Sequence, residues 1–486
     1  MGTTSATASS ASVAQDEGQK GTSDQQSWTP EEESKLVWKI DRHLLPTAWL
    51  MFLLAWMDRS NIGSARIAGM ADDLNLSSSN YSLSIIVFYI GYLIFGPPSN
   101  LLVARLRPSI YLPCLMMAWG ICTCSMAAVK TYPQLLVLRI LTGIAEAGFT
   151  PGLYFLLSCW YIPKEQGKRG AVVFSAALVG GAFGGIVAGT VTRDLEGAHG
   201  IRGWRWLFII EGVVTIGSAI FASFILPDFP STCRRFTVRE KEIANARLKL
   251  AGTKTQLESG GPPLGKVESI KLALKDWRTW AMTGMLGLIG PSSVMPYFYP
   301  TLVRGLGYAD RVTAQYMTVP IWGVAFVCAL TTGIVGDRFP AQRALILAGW
   351  LTLATVMTIT VCAVYGNMAR YVLIIFMGAG CWSSVALSIG FSVTVFRDMR
   401  PEVRAIAVAI PPCVGNFGNV YGAYLFPTGD APKYLMGFGV IAATLGLAAI
   451  LLVIIHVCLR DTAGEPACIE ESGELGLKWQ KDDTTD

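Results

Sequence analysis

Among the charged residues that stand inside long apolar stretches of this 486-residue chain, four are the candidates for chemistry: Asp58, Arg139, Glu146 and Glu211. A charge within a hydrocarbon layer is expensive, so an ionisable residue there marks a substrate path, a proton relay or a buried pair. Arg139 and Glu146 are seven positions apart, which on a helix puts them on one face, about 10 Å apart along the axis. An arginine fork matches a carboxylate through two hydrogen bonds, and a buried carboxyl group can take up and release a proton. The spacing fits a site that attracts an anion at Arg139 and exchanges a proton at Glu146, with Asp58 and Glu211 as further coupling candidates. A fixed ion pair that sets helix register is the other reading. Asn416 and Asn419, polar and uncharged within a late apolar stretch, are candidates for hydrogen bonds to a substrate or between helices.

Other chemistries lack their residues. The three histidines are scattered, and most of the eleven cysteines lie in apolar blocks without CxxC spacing. No metal site is expected. No Gly-Lys-Ser/Thr phosphate loop is present. The chain is 52% hydrophobic and 15% charged, against roughly 25% charged in soluble proteins. A soluble enzyme is excluded, no cofactor beyond a proton gradient is needed, and nucleic acid is not an expected partner.

The elements that must hold these residues are apolar blocks of bilayer-spanning length. Six fall within residues 44–226 and six within 277–458, so an all-α polytopic membrane protein with 12 transmembrane helices is expected. Residues 1–43 read as a disordered tail. Residues 227–276 form a basic central loop, and residues 459–486 an acidic tail. Within the loop, Thr237 and Glu240 spell a capping box for a helix that lies on the inner leaflet or braces the two halves. Prolines interrupt several spans. The seventh, Pro291 to Tyr299, adds hydroxyls and aromatics suited to lining a cavity.

The halves repeat. Arg169 is followed eleven residues on by Gly180, and Arg404 by Gly415, at a shared offset of 235. Gly181, Gly185 and Gly189, and Gly418 with Gly422, let helices approach closely. A parallel repeat of six-helix halves is a transporter design, with a central site that opens alternately to each side. Lys and Arg concentrate in the tails and central loop, which predicts both termini in the cytoplasm. Two glycosylation sequons, at Asn75 and Asn80, then fall in the first outer loop.

Several stretches resemble the major facilitator superfamily. The loop Gly333 to Arg343, with Asp337, Arg338 and Arg343, is similar to its loop motif, which implies an inner-side charge latch. Within it, Asp58-Arg-Ser-Asn61-Ile-Gly63, Arg139 to Gly152 and Gly203 to Gly212 resemble the fungal anion:cation symporter family, the allantoate and nicotinate permease group. That likeness implies proton-driven uptake of small organic anions; the expected substrate is a small carboxylate-bearing metabolite or vitamin, and the expected carrier is a monomer in the plasma membrane. The alternatives are an exporter of a toxin or secondary metabolite on the same fold, or a transporter-like nutrient receptor.

Overall fold

The computed structural model describes residues 28–103, 105–258, 265–396 and 399–464. Among these every regular element is a helix. The first half contains α1 (Pro30–Ala65), α2 (Ser78–Val103), α3 (Pro108–Met126), α4 (Tyr132–Glu146), α5 (Phe149–Trp160), α6 (Pro163–Asp194) and α7 (Gly203–Ile225). Two helices lie in the central loop, α8 (Val238–Glu258) and α9 (Lys266–Lys275). The second half contains α10 (Trp277–Ile289), α11 (Met295–Gly305), α12 (Arg311–Tyr316), α13 (Val319–Arg338), α14 (Arg343–Ala363), α15 (Asn367–Val395), α16 (Pro401–Gly415), α17 (Phe417–Gly422) and α18 (Leu435–Gly464).

Nine stretches among the described residues are long and apolar enough to cross a bilayer. The three further expected spans fall short for visible reasons. In α1, Asp58 and Arg59 dilute the apolar run. The seventh span is cut between α10 and α11 by the 3₁₀ turn Gly290–Val294, and the eleventh breaks between α16 and α17. These two breaks meet each other. A Cβ on Gly290 would lie 2.5 Å from the Gly415 carbonyl oxygen, and one on Gly418 would lie 2.6 Å from Gly290 Cα. In the first half Gly180 packs likewise on α1, where a Cβ would lie 2.8 Å from the Leu53 carbonyl oxygen. The repeat read from glycine spacing is thus a repeat of contacts: fifth span on first, eleventh on seventh. In lipid no hydrophobic force draws helices together, so such close backbone approach supplies much of the attraction. Side chains such as Phe224 and Ile450 stay exposed on the perimeter, where acyl chains cover them.

Two expectations are corrected. The boundary at residue 43 falls inside α1, which begins at Pro30. Thr29 accepts from the Glu32 N–H while the Glu32 carboxylate accepts from the Thr29 N–H; with Pro30 at N1 and acids in the first turn, this is a strong start signal. Residues 1–27 lie outside the described residues, as does the tail from 465 onward. The central-loop helix packs on the first half. Its capping box forms, with Glu240 N donating to Thr237 Oγ1 at 3.2 Å and Thr237 N to Glu240 Oε2 at 2.8 Å. Arg247 then donates to Glu33 and to Glu165, both at 2.7 Å, and Lys39 to Glu240 at 2.8 Å. Arg169 and Tyr161 converge on Asp41 beside them.

Candidate functional site

The charged residues of α1 diverge because successive residues on a helix point about 100° apart. Asp58 turns toward α3 and α7, where its Oδ2 accepts from Trp119 Nε1 at 2.9 Å and from Thr215 Oγ1 at 2.8 Å. Arg59 turns toward α4 and donates from both Nε, at 3.0 Å, and Nη2 to Glu146 Oε1. The ion-pair partner of Glu146 is therefore Arg59. Arg139 shares the α4 face with Glu146 as expected, yet it donates to the Ser84 carbonyl oxygen at 3.3 Å and stacks 4.8 Å from the Phe88 ring centre. Arg139 Nη2 and Glu146 Oε2 have no partner. A Cβ on Gly143 would lie 2.2 Å from the Phe88 carbonyl oxygen, so α2 and α4 are pressed together at this level, and the glycine permits it.

Glu146 is 1% exposed, whereas the Arg59 side chain retains 13%. The guanidinium sits among Trp56, Phe88 and Tyr92, at 5.1–5.5 Å from the ring centres. Trp56 meets Trp382 of the second half edge-on at 5.3 Å, and Trp382 lies 5.2 Å from Trp322. The pair thus stands where the halves face each other, inside an aromatic wall. In such a low-dielectric setting removing one member of a buried pair costs about 3–5 kcal/mol, so the two charges hold each other in place.

Glu211 is buried on α7 and lines a small pocket together with Asn61 and, from the broken seventh span, Pro296 and Tyr299. That stretch does line a cavity. Asn416 and Asn419 are occupied locally: Asn416 Nδ2 donates to the Pro412 carbonyl at 3.1 Å, and Asn419 Nδ2 to Asn416 Oδ1 at 3.2 Å. They stabilise the break in their own span and are not joined to the acid cluster by a hydrogen bond. In the loop motif Arg343 pairs with Asp337 at 2.9 Å and also donates to Thr394 Oγ1 of α15 at 2.9 Å. Arg338 is exposed at the end of α13. Asn75 is exposed, and Asn80 lies in the first turn of α2.

The hydrogen bonds that join the halves gather on the face carrying the α1–α2 connection. Tyr81 Oη donates to the Tyr297 carbonyl at 2.7 Å, Ser82 Oγ to the Ala423 carbonyl at 2.6 Å and Gln315 Nε2 to the Ser64 carbonyl at 2.9 Å. Arg311 pairs with Asp72 at 3.2 Å. Gly63 belongs to this seam, since a Cβ there would lie 2.6 Å from the Tyr297 carbonyl oxygen. The molecule is closed on that face.

The sequence list of Asp58, Arg139, Glu146 and Glu211 missed Arg59. The available signal was a second charge within the same apolar block.

Known proteins agree with this architecture. The family model of the Major Facilitator Superfamily matches residues 48–423. The MFS transporter prlL of a fungal species (strain NRRL 50135) is 33% identical over 447 residues, covering 88% of each chain. The high-affinity nicotinic acid transporter of Saccharomyces cerevisiae is 28% identical over 457 residues, 91% of this chain and 81% of that one. Among solved structures, an inward-facing bacterial homologue of the human lysosomal transporter Spinster shares the fold with TM-score 0.63 at 16% identity, over 88% of this chain and 96% of that one. A chain whose described elements are all helical, with apolar spans, two repeated halves and charges at their interface, is a multi-pass membrane protein that moves small molecules rather than transforming them, and it belongs to the major facilitator superfamily.

Proposed function

We propose that the protein takes up a small organic anion together with a proton by alternating access. The observation that carries this reading is the Arg59–Glu146 pair at the interface of the halves. As it stands the pair is neutral. A proton on Glu146 removes the negative partner and frees the guanidinium, and an incoming carboxylate restores neutrality at Arg59. Loading one proton with one monoanion leaves the net charge of the buried site unchanged, so the loaded carrier can reorient without moving an extra charge through a low-dielectric region. An anion without a proton, or a proton without an anion, lacks that balance. This is symport by charge accounting.

The aromatic wall of Trp56, Tyr92 and Trp382 suits a flat ring beside the carboxylate, in line with the relative named for nicotinic acid. Arg139, buried with a spare N–H, is assigned to hold the same region positive. The two six-span halves rock as bodies, the Asp337–Arg343 pair with Thr394 ties together α13, α14 and α15 of the second half on the face on which α1 begins, and that face is cytoplasmic in the plasma membrane. Asn75 then offers a glycosylation site outside; Asn80 stands too close to the bilayer to be a good acceptor.

The test is accumulation of labelled organic acids in cells lacking or overexpressing the protein, with and without a proton uncoupler. Uptake that rises with expression and collapses with the uncoupler is expected. In Glu146→Gln, substrate binding and exchange persist while proton-driven accumulation is lost. Faster efflux on overexpression would overturn uptake, and accumulation retained by Glu146→Gln would overturn the coupling role.

A further inference from the structure

A second polar group at the interface takes no part in the exchange at Arg59. The pocket beside Glu211 has a volume of about 20 Å³, room for one particle the size of a water molecule. It is lined by Ser60 and Asn61 of α1, Glu211 of α7, Tyr299 of α11 and Thr318 at the start of α13. Glu211 is 3% and Asn61 4% exposed. Glu211 Oε2 and both amide atoms of Asn61 have no hydrogen-bond partner.

The lining is biased toward acceptors. Ser60 spends its hydroxyl proton on the carbonyls of Trp56 and Met57, and Thr318 on that of Gln315, which leaves their lone pairs available. No basic side chain lines the pocket. One turn along the same α1–α7 contact stands Asp58, bonded at 2.8 Å to Thr215, which lies one turn beyond Glu211 on α7. Asp58 accepts two hydrogen bonds from Trp119 and Thr215; Arg59, the nearest cation on α1, is committed to Glu146. Two neighbouring buried carboxylates with no counter-charge do not both stay ionised and empty-handed. Carboxylate, amide and hydroxyl oxygens are the donor set of small hard cations.

We propose that the Glu211–Asn61 pocket is a second coupling-ion site, which takes one small hard cation, a sodium ion or a hydrated proton. A hydrated proton leaves Glu211 a neutral carboxyl group with its water held by Asn61; a sodium ion is bound by the oxygens directly. The site spans the halves. Gly181 and Gly185 of α6 let Trp322 and Thr318 come so near that a Cβ would lie 2.3 Å and 2.5 Å from them. The Thr318 oxygen reaches the pocket only in this apposition, so an ion there favours the closed seam. The inference rests on the transport reading for its role, and on the pocket alone for binding.

The experiment uses the purified full-length protein in lipid nanodiscs, with the thermal unfolding midpoint as readout. In one arm sodium chloride replaces choline chloride at about pH 8; in the other, choline chloride is kept and the pH is lowered to about 5.5. Both arms are also run on Glu146→Gln, so that titration of Glu146 does not contribute. The charged and titratable groups around the pocket are then Asp58 and Arg59 on α1, Tyr299 on α11 and Cys124 on α3.

A sodium ion raises the midpoint by a few degrees in the first arm, and a proton does so in the second. Glu211→Gln abolishes that response, and Asn61→Ala weakens it while the fold is kept. No response in either arm, or a response that survives intact in Glu211→Gln, overturns the proposal. Should Glu211→Gln not fold, an undiminished response in Asn61→Ala overturns it instead. Glu146→Gln separates the two readings: lost accumulation with a retained pocket response supports both, while retained accumulation counts against the mechanism at Arg59 only.

Discussion

The two halves share a backbone plan and divide the chemistry. In each, the fifth span of the half packs on its first through a glycine, at Gly180 on Leu53 and at Gly415 on Leu286. An acid also stands at matching positions on the same side of each half, Asp41 within α1 and Asp276 at the N-cap of α10. The interiors differ. Where the first half has Asp58, Arg59, Arg139, Glu146 and Glu211, the positions one offset of 235 later are Ser293, Val294, Ile374, Cys381 and Gly446. The second half instead has two interrupted helices that meet at Gly290 and Gly418. Duplication kept the packing that closes each bundle, while among the described residues the buried acids were confined to one bundle and the pair of interrupted helices that meet through glycines to the other. A single charged bundle suffices, because a mobile uncharged partner can open or cover the site.

That division can be broken in order of expected effect. Replacing Arg59 with Gln strands the Glu146 carboxylate and should lower uptake about a hundredfold, in keeping with the 2–5 kcal/mol cost of truncating one member of a buried charge pair. Cys381→Ala, at the position matching Glu146, should leave coupled uptake within about twofold of wild type, since a small buried thiol packs much like a methyl group. Loss of coupling in the latter would end the idea of a chemically passive second half.

Gly143→Ala should come next, destabilising by about 1–3 kcal/mol through overpacking, because the obstructing atom is a backbone oxygen that cannot rotate away. Gly290→Ala should cost as much against its own glycine seam. Gly217→Ala, where a Cβ meets nothing within 4 Å, should be neutral or stabilise by up to about 1 kcal/mol. Thermal midpoints of the three decide whether both bundles rest on backbone contact.

At the membrane face Arg247→Ala should release α8 at a cost of about 1–3 kcal/mol, the worth of hydrogen bonds to charged groups. Faster hydrogen exchange should appear across α8 and leave α9 unchanged; protection unchanged in α8 would show that its apolar contacts suffice.

The smallest effect concerns Glu240. Burial opposes its ionisation, yet hydrogen bonds from Lys39 and from the Thr237 N–H outweigh it and hold the carboxyl below its ordinary value of 4.5. Its contribution is present above that value and lost as the pH falls through the lower, folded one, so α8 should loosen slightly in acid. Glu240→Gln should remove that dependence, read as α8 exchange against pH.

Much of this was legible beforehand, for reasons that differ by feature. Asp58, Glu146 and Glu211 stood out because charge inside an apolar block is locally visible. The capping box at Thr237 could be read because its partners are three residues apart. The same signal at Thr29 and Glu32 went unread inside a polar segment that resembled a tail, and the start of α1 was misplaced. Arg139 was matched to Glu146 by spacing, but its side chain turns to Ser84 on α2. Asn416 and Asn419 carried the right polarity for a substrate, yet a helix break four residues from Pro412 supplies nearer partners.

Hydropathy, charge placement and the glycine repeat by themselves determined a membrane protein of two similar halves with its ionisable groups in the first. Each of those properties belongs to a short window of chain. Tertiary structure alone decided which charge meets which: Arg59 and Glu146 are 87 positions apart, and the Glu211 pocket draws on both halves. Neighbours on a helix diverge by about 100°, so Asp58 and Arg59 carry adjacent numbers and opposite assignments. Only the placement of α1, which packs on α7 and brings Arg59 within reach of Glu146 on α4, separates them.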